Sequence, residues 1–286
     1  MAVDLYRNRD FIPNFDEIAA ETAARSRDLA AKVQIQRDIS YGPSNRECFD
    51  LVFPSRPVKG APLHIFFHGG YWRSGSKEDH LLVAAPVLAV GGIAAIVTYD
   101  LMPGTRLGTI VKQTRAAVRK LGGMAASIGA DPTRLTASGH SAGAHLASYL
   151  AAVSHGETEP ESLPSLRALL LVSGLYDLKD IPNSFLKNET QMTADEAKTW
   201  SPLVARQLQN PKRIIMVSEN DSPPFHEQGR TFTEHLQQIG AQATLRTEKG
   251  LNHMSIVLAL GDPQSAVGQC LAEVVLSDER TSPPGP

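Results

Sequence analysis

Apolar and polar positions change period several times along the chain, and each change marks an element. Phe15, Ile18, Ala19, Thr22, Ser26, Leu29 and Val33 recur at helical spacing, which predicts an amphipathic helix. Pro13-Asn14 precedes it, and Glu17 stands where a capping box on Asn14 needs a carboxylate. Alternation follows: Val33–Ser40 and Glu47–Phe53 read as antiparallel edge strands joined by the turn Tyr41-Gly42-Pro43-Ser44-Asn45. Leu63–Phe67 is almost continuously apolar, as a strand buried on both faces requires. From there strand-like and helix-like segments take turns. Ile93–Tyr99, Arg134–Ser138, Ala168–Ser173, Arg213–Ser218 and Ala243–Thr247 are the expected strands. Helices are expected over Lys77–Val90, Leu107–Leu121 and Phe225–Ile239, after Ser141, and from Asp262-Pro263 with proline in the first position. This alternation predicts an α/β fold, a doubly wound, mostly parallel eight-stranded sheet whose first strands are antiparallel.

Between Gly174 and Pro211 the alternation lapses. Thr193-Ala-Asp-Glu196 is a second capping-box signal and Ser201-Pro202 opens another short helical piece, so 176–210 reads as a small helical cap inserted above the strand ends. The expected organisation is an N-terminal segment and helix over 1–34, a candidate cap, then one domain over 35–276 carrying that insertion, and a flexible Pro/Gly-rich tail over 277–286.

Composition removes several function classes. A net charge of −2 with scattered Lys and Arg offers no electrostatic surface for nucleic acid. Cys48 and Cys270 are too few for a disulfide framework and read as buried thiols. The first residues lack the apolar core of a secretory signal and no apolar run is long enough to span a bilayer, so no membrane association and a cytoplasmic location are expected. No His-Glu-x-x-His, Cys-x-x-Cys or Gly-Lys-Ser/Thr phosphate loop occurs, so neither metal nor cofactor is expected. A small-molecule substrate is the expected partner, with a homodimer left open.

Chemistry concentrates at Gly139-His-Ser141-Ala-Gly143. A strand leads in and helical residues follow, the context of a nucleophile elbow in which two glycines let the backbone close around an exposed serine. A serine hydroxyl needs a base and an acid that orients the base. Of nine histidines, His253 alone falls in the loop after the last strand, which returns to the same sheet edge as Ser141. The other eight read as structural or surface residues. Asp221, after the strand Arg213–Ser218 and stiffened by Ser222-Pro223-Pro224, is favoured as the acid over its rivals Asp177 and Glu219. His68-Gly69-Gly70-Tyr71-Trp72 follows the buried strand and would complete an oxyanion hole with the amide of Ala142. Tyr71, Trp72 and His140 are the expected pocket residues.

With these residues in place, the sequence resembles the α/β-hydrolase superfamily, in the branch that holds arylformamidases (kynurenine formamidases) beside hormone-sensitive-lipase-like esterases. The resemblance rests on His68-Gly-Gly-Tyr-Trp-Arg-Ser-Gly-Ser-Lys77, Tyr99-Asp-Leu-Met-Pro103, Gly139-His-Ser-Ala-Gly-Ala-His-Leu146, Asp221-Ser-Pro-Pro-Phe225 and Asn252-His253. It implies an α/β-hydrolase fold, Asp221 and His253 as acid and base, and Gly70, Tyr71 and Ala142 as oxyanion donors, with Gly69 shaping their loop. Esterases of the branch commonly carry a third glycine where Tyr71 stands, and the Gly-Gly-Tyr-Trp form is closer to the formamidases. The implied reaction is hydrolysis of a small aryl formamide of the N-formyl-kynurenine type. The alternatives are a short-chain carboxylesterase or amidase of another catabolic pathway and, in another class, a non-catalytic ligand-binding homologue.

Overall fold

The computed structural model describes residues 3–56, 58–157 and 162–277. The tail expected over 277–286 therefore lies outside the described residues but for Ser277.

Strands β1 (Gln34–Ser40), β2 (Cys48–Phe53), β3 (Ala61–Phe67), β4 (Ile93–Val97) and β5 (Ala130–His140) build the first half of the main sheet. A two-residue strand, β6 (Ala152–Val153), precedes β7 (Leu166–Val172); another, β8 (Arg206–Gln207), precedes β9 (Lys212–Ser218) and β10 (Ala243–Glu248). The main sheet has eight strands in the order β1-β2-β4-β3-β5-β7-β9-β10. β1 and β2 are antiparallel, β2 meets β4 antiparallel, and every later pairing is parallel. Each parallel pairing needs a crossover, and the helices α2 (Ala84–Ala89), α3 (Leu107–Met124), α4 (Ala142–Ser148), α7 (Pro223–Gln238) and α9 (Ala266–Leu276) lie in those crossovers or close the fold after them. The remaining helices are α1 (Phe15–Ala30), α5 (Lys187–Thr190), α6 (Ala194–Thr199) and α8 (Ser255–Leu260). β6 and β8 pair with each other as a separate antiparallel ladder.

Every residue of β3 is buried, as its apolar run requires, and alternate side chains of the central strands enter opposite layers. Leu63, Ile65 and Phe67 pack with Val118, Leu121, Phe232 and Leu236 on one face. Phe66, Ala94 and Ile96 pack with Val87, Ile256, Leu271 and Val275 on the other. His64 is a polar break in this strand, satisfied by Thr136 Oγ1 (2.8 Å) and Ser138 Oγ (2.7 Å) on β5; burial pushes its pKa down to about 3. A third apolar cluster sits above the carboxyl ends of the strands. There Trp72, Tyr99, Tyr149, Leu178, Leu186 and Phe225 pack under the inserted segment.

Several expected boundaries shift for local reasons. The stretch Lys77–Val90 is a 3-10 helix over Glu78–Val83 followed by α2, which holds Pro86 in its first turn, where no N–H is required. Asn14 precedes α1 but its side chain caps nothing, because its backbone (φ −100°, ψ 32°) departs from the extended form that aims an N-cap oxygen at the free N–H groups. The last helix does not start at Pro263. Asp262 uses its carboxylate on Gln264 N–H in a turn, and Ser265 caps α9 by accepting from Gly268 N–H (2.9 Å). Thr193 does cap α6, but Glu196 turns outward and accepts from Leu107 N–H (2.8 Å), joining the insertion to α3. Cys270 is buried, whereas Cys48 is half-buried on the edge pair. No helix among the described residues is long and apolar enough to cross a membrane.

α1 packs its Ile18, Thr22 and Ser26 face on the 3-10 helix, where Ser26 Oγ donates to Asp79 O (2.8 Å) and accepts from Leu82 N–H (3.1 Å). The strap before it, Asp4–Asp10, crosses the carboxyl edge of the sheet. Ser222 Oγ donates to Leu5 O (2.6 Å), Tyr71 Oη donates to Tyr6 O (2.5 Å), and Asp4 accepts from the N–H of Phe185.

Candidate active site

β5 ends at His140, and the chain turns at Ser141 into α4. Ser141 holds φ 55° and ψ −120°, a conformation that a side chain with Cβ rarely adopts. Its N–H donates to Val172 O (2.8 Å), which ties the corner to β7. The two glycines are required by close packing: a Cβ on Gly139 would lie 2.2 Å from Gly143 O, and one on Gly143 would lie 2.0 Å from Phe67 O. Both obstacles are backbone, so neither can rotate away.

Asp221 and His253, the expected acid and base, arrive on two loops that are stitched together. Glu219 N–H donates to Glu248 O (2.8 Å), Asn220 N–H to Leu251 O (2.9 Å) and Ser218 Oγ to Asn252 O (3.1 Å). His253 Nδ1 then donates to Asp221 Oδ1 at 2.8 Å, both side chains being buried. The other carboxylate oxygen accepts from Ser173 Oγ (2.6 Å) and Ser218 N–H (2.8 Å). Burial alone would raise the Asp221 pKa; the His253 ring, with the Ser173 and Ser218 donors, outweighs it and holds the carboxyl below its usual value. With Nδ1 engaged, Nε2 is the nitrogen left for the cavity.

The two rival acids stand elsewhere. Asp177 pairs with Lys179 (3.0 Å) beside another cleft, and Glu219 is exposed and accepts from Gly250 N–H (2.8 Å).

His140 is wedged beside His253. Its Nε2 donates to His253 O (2.8 Å), and the two rings lie 4.8 Å apart. Burial first, then the neighbouring His253, push its pKa well down, so it is neutral with its proton on Nε2 and a bare Nδ1.

The loop after β3 is held from several sides. Tyr99 Oη donates to His68 O (2.7 Å), Arg46 to Gly75 O (2.8 Å) and Met102 N–H to Trp72 O (2.8 Å). Gly70 adopts φ 112°, where a Cβ would lie 2.2 Å from Ser74 O; Gly69 leaves room for His140 and Ser141. Among the described residues, the N–H groups of Gly70, Tyr71 and Ala142 donate to no protein acceptor.

Ser141, His253, His140, Gly70 and Tyr71 line one cavity of about 330 Å³. Trp72 does not line it, which corrects the expectation of a pocket role. Two consecutive positive-φ residues reverse the chain, leaving Tyr71 on the cavity and Trp72 wholly buried. Its indole N–H donates to His145 Nδ1 (3.2 Å), while His145 Nε2 donates to Trp200 O (2.8 Å), so Trp72 pins the loop to the elbow helix and the insertion.

The cavity also has wall residues, in the two segments expected as candidate caps, that no sequence pattern singled out for it. Arg7, Asp10 and Phe15 come from the N-terminal strap and the start of α1, and Phe185 and Glu189 come from the insertion. A second, larger cleft of about 670 Å³, bordered by Tyr6, Asp177, Asp180 and Glu227, lies on the other side of the strap. It contains none of Ser141, Asp221 and His253, so volume does not select it as the reactive site. Among the described residues no cluster of three or more His, Cys, Asp or Glu side chains is arranged to hold a metal ion.

A family model described as alpha/beta hydrolase fold matches residues 64–257, from β3 through the loop that carries His253. The chain belongs to the alpha/beta hydrolase fold family. It is a hydrolase by that membership and by its relatives. It is 30% identical to a kynurenine formamidase of Danio rerio over 249 residues, covering 85% of this chain and 82% of that one. An isoprenylcysteine alpha-carbonyl methylesterase of Arabidopsis thaliana is 26% identical over 247 residues, covering 79% of this chain and 58% of the relative. Among solved structures, a candidate thioesterase from Silicibacter sp. TM1040 superposes with a TM-score of 0.80 at 27% identity, covering 97% of this chain and 100% of that one.

Proposed function

We propose that this hydrolase is a serine acyl-transfer enzyme acting on a small aryl formamide of the N-formyl-kynurenine type. The observation that carries the reading is the shared cavity: Ser141 on a positive-φ corner and His253 held by Asp221 face the same 330 Å³ space, beside unengaged backbone N–H groups. The formamide reading is supported by the Danio rerio relative and by Tyr71 standing where the resemblance places a third glycine in branch esterases.

In this mechanism Ser141 Oγ attacks the formyl carbon while its proton passes to His253 Nε2. Asp221 keeps the imidazole in the productive tautomer and favours the imidazolium. The N–H groups of Gly70, Tyr71 and Ala142 stabilise the oxyanion. The imidazolium gives its proton to the departing aryl amine as the carbon–nitrogen bond breaks. Water, deprotonated by the same nitrogen, then attacks the formyl-serine, and formate leaves as Oγ regains the proton.

The methylesterase relative favours a second reading, a carboxylesterase using the same residues on an oxygen leaving group. Steady-state hydrolysis of N-formyl-kynurenine beside p-nitrophenyl acetate separates the two. The formamide should be preferred, and Ser141→Ala should lower turnover by about 10⁴ to 10⁶ without unfolding the protein. Ester turnover without formamide turnover moves the protein to the second reading. A near-normal Ser141→Ala rate removes both. Labelling of Ser141 by an organophosphonate separates either enzyme from a non-catalytic binding homologue.

A further inference from the structure

The ionic groups of the reactive cavity are unevenly partnered. Arg73 is paired with Glu189 (2.5 Å), and Arg9 with Asp16 (2.5 Å). Arg7 and Asp10 also line the cavity, and among the described residues neither side chain makes an ion pair or a hydrogen bond, with each other or with any group. They stand at the two ends of one 3-10 turn, closed by Asp10 N–H donating to Arg7 O (2.9 Å). A cation and an anion held apart on one wall, each without a partner, are complementary to a ligand that carries both charges.

The surroundings say how such a ligand would lie. Arg7 sits over the Phe185 ring, its guanidinium carbon 5.3 Å from the centroid, and Phe185 meets Tyr71 edge-on at 5.6 Å. An aromatic surface therefore runs from the turn to the loop whose N–H groups flank Ser141. The Tyr71 Oη to Tyr6 O bond (2.5 Å) fixes the residue before Arg7 to that same loop. Charge at one end, an aromatic path, and the reacting carbonyl at the other define one elongated molecule.

We infer that Arg7 and Asp10 form a subsite for a zwitterionic α-amino acid group attached to the aryl leaving group, Arg7 taking the carboxylate and Asp10 the ammonium. The inference rests on the reading of the cavity as an acyl-transfer site and names two specificity-determining residues within it. Both are at the exposed mouth, so each contact acts through partly screened charge, and selectivity of about two- to fivefold per matched charge is expected.

The test uses four aryl acetates that share an acyl group and differ in charge: O-acetyl-tyrosine, 3-(4-acetoxyphenyl)propionate, O-acetyltyramine and 4-ethylphenyl acetate. The readout is kcat/KM for each, divided by that of the neutral ester. The zwitterion should lead, mainly through a lower KM, because the contacts lie away from the reacting carbon. Arg7→Ala should lower the ratios for the zwitterion and the anion about two- to fivefold, and Asp10→Asn those for the zwitterion and the cation, with Arg7→Lys recovering part of the loss. Raising the ionic strength should narrow the spread. A wild type that cleaves the neutral ester as well as the zwitterion overturns the subsite and leaves the acyl-transfer site standing. So do variants that shift all four esters alike, since a structural role for the turn does not sort by charge. Failure to cleave any of the four, with N-formyl-kynurenine also left intact, removes the acyl-transfer reading, and the subsite with it.

Discussion

Ser173 offers the sharpest test of how the site is held. It directly follows β7 with φ 46°, its N–H donates to Met216 O (2.7 Å), and its hydroxyl donates to Asp221 Oδ2 at 2.6 Å. Ser173→Ala keeps the Cβ and the backbone strain and deletes only the donor, leaving Asp221 with Ser218 N–H and His253. A hydrogen bond to a buried charge contributes about 1.5–3 kcal/mol, and Asp221 is only 8% exposed, so little of this is lost to solvent. Urea unfolding at pH 7 should register a loss of about 2 kcal/mol. The Asp221 pKa is depressed in the folded state, so its stabilisation is present above the unfolded carboxylate pKa and disappears as pH falls through the folded one. The gap between wild type and variant should therefore be widest at neutral pH and close on the acid side of the carboxylate range. If somewhat over half of the bond is expressed in orienting His253, kcat should fall about tenfold, since each 1.4 kcal/mol is one decade. Wild-type stability together with wild-type kcat would refute the assignment of Ser173 as an anchor of the acid.

Other substitutions separate placement from chemistry. Trp72→Phe leaves His145 Nδ1 without its buried donor and should cost about 1–3 kcal/mol in urea unfolding, with kcat falling more than KM changes as the loop loosens from the elbow helix. Asp177→Asn and Glu219→Gln should keep kcat/KM within about twofold of wild type, whereas Asp221→Asn should lower kcat by about 10⁴; steady-state assays of the three side by side decide which carboxylate orients the base. Tyr71→Phe removes the Tyr71–Tyr6 bond, and amide hydrogen exchange at residues 6–10 should quicken about five- to thirtyfold, reflecting about 1–2 kcal/mol of lost anchoring, while unchanged exchange would show the strap to be held by its other contacts.

What the sequence made legible follows the physics of each element. The central strands were readable because burial on both faces leaves no polar positions to confuse the period, and the corner at Ser141 because only glycines fit beside it. The β6–β8 ladder has two residues per strand, too short for any alternation to register. Trp72 was misplaced because an aromatic beside a glycine loop has no sequence signal for which way a positive-φ residue points. Ser173 carries no motif; only the register of β7 against β9 reveals that its hydroxyl meets Asp221. Arg7 and Asp10 lie in a polar run without periodicity, and they reach the cavity through the tertiary course of the strap.

Tyr71 links the two halves of the site. Its backbone N–H is one of the three unengaged donors beside Ser141, and its hydroxyl is the group that fixes Tyr6 O and so holds the turn carrying Arg7 and Asp10. A glycine at this position could supply the same N–H but not the anchor, and the strap wall would then rest on the Leu5 and Asp4 contacts and on the packing and hydrogen bonds of Tyr6 and Arg7. Trp72, one residue on, fastens the same loop to the elbow helix through His145. In the proposed reaction a shift of the strap at the cavity mouth would reach the Gly70 and Tyr71 N–H groups through these bonds, coupling leaving-group fit to oxyanion geometry. On the proposed reading, that coupling would give a physical reason for a Tyr-Trp pair where a third glycine would suffice for the oxyanion donor: binding at the distant end would be converted into alignment at the carbonyl.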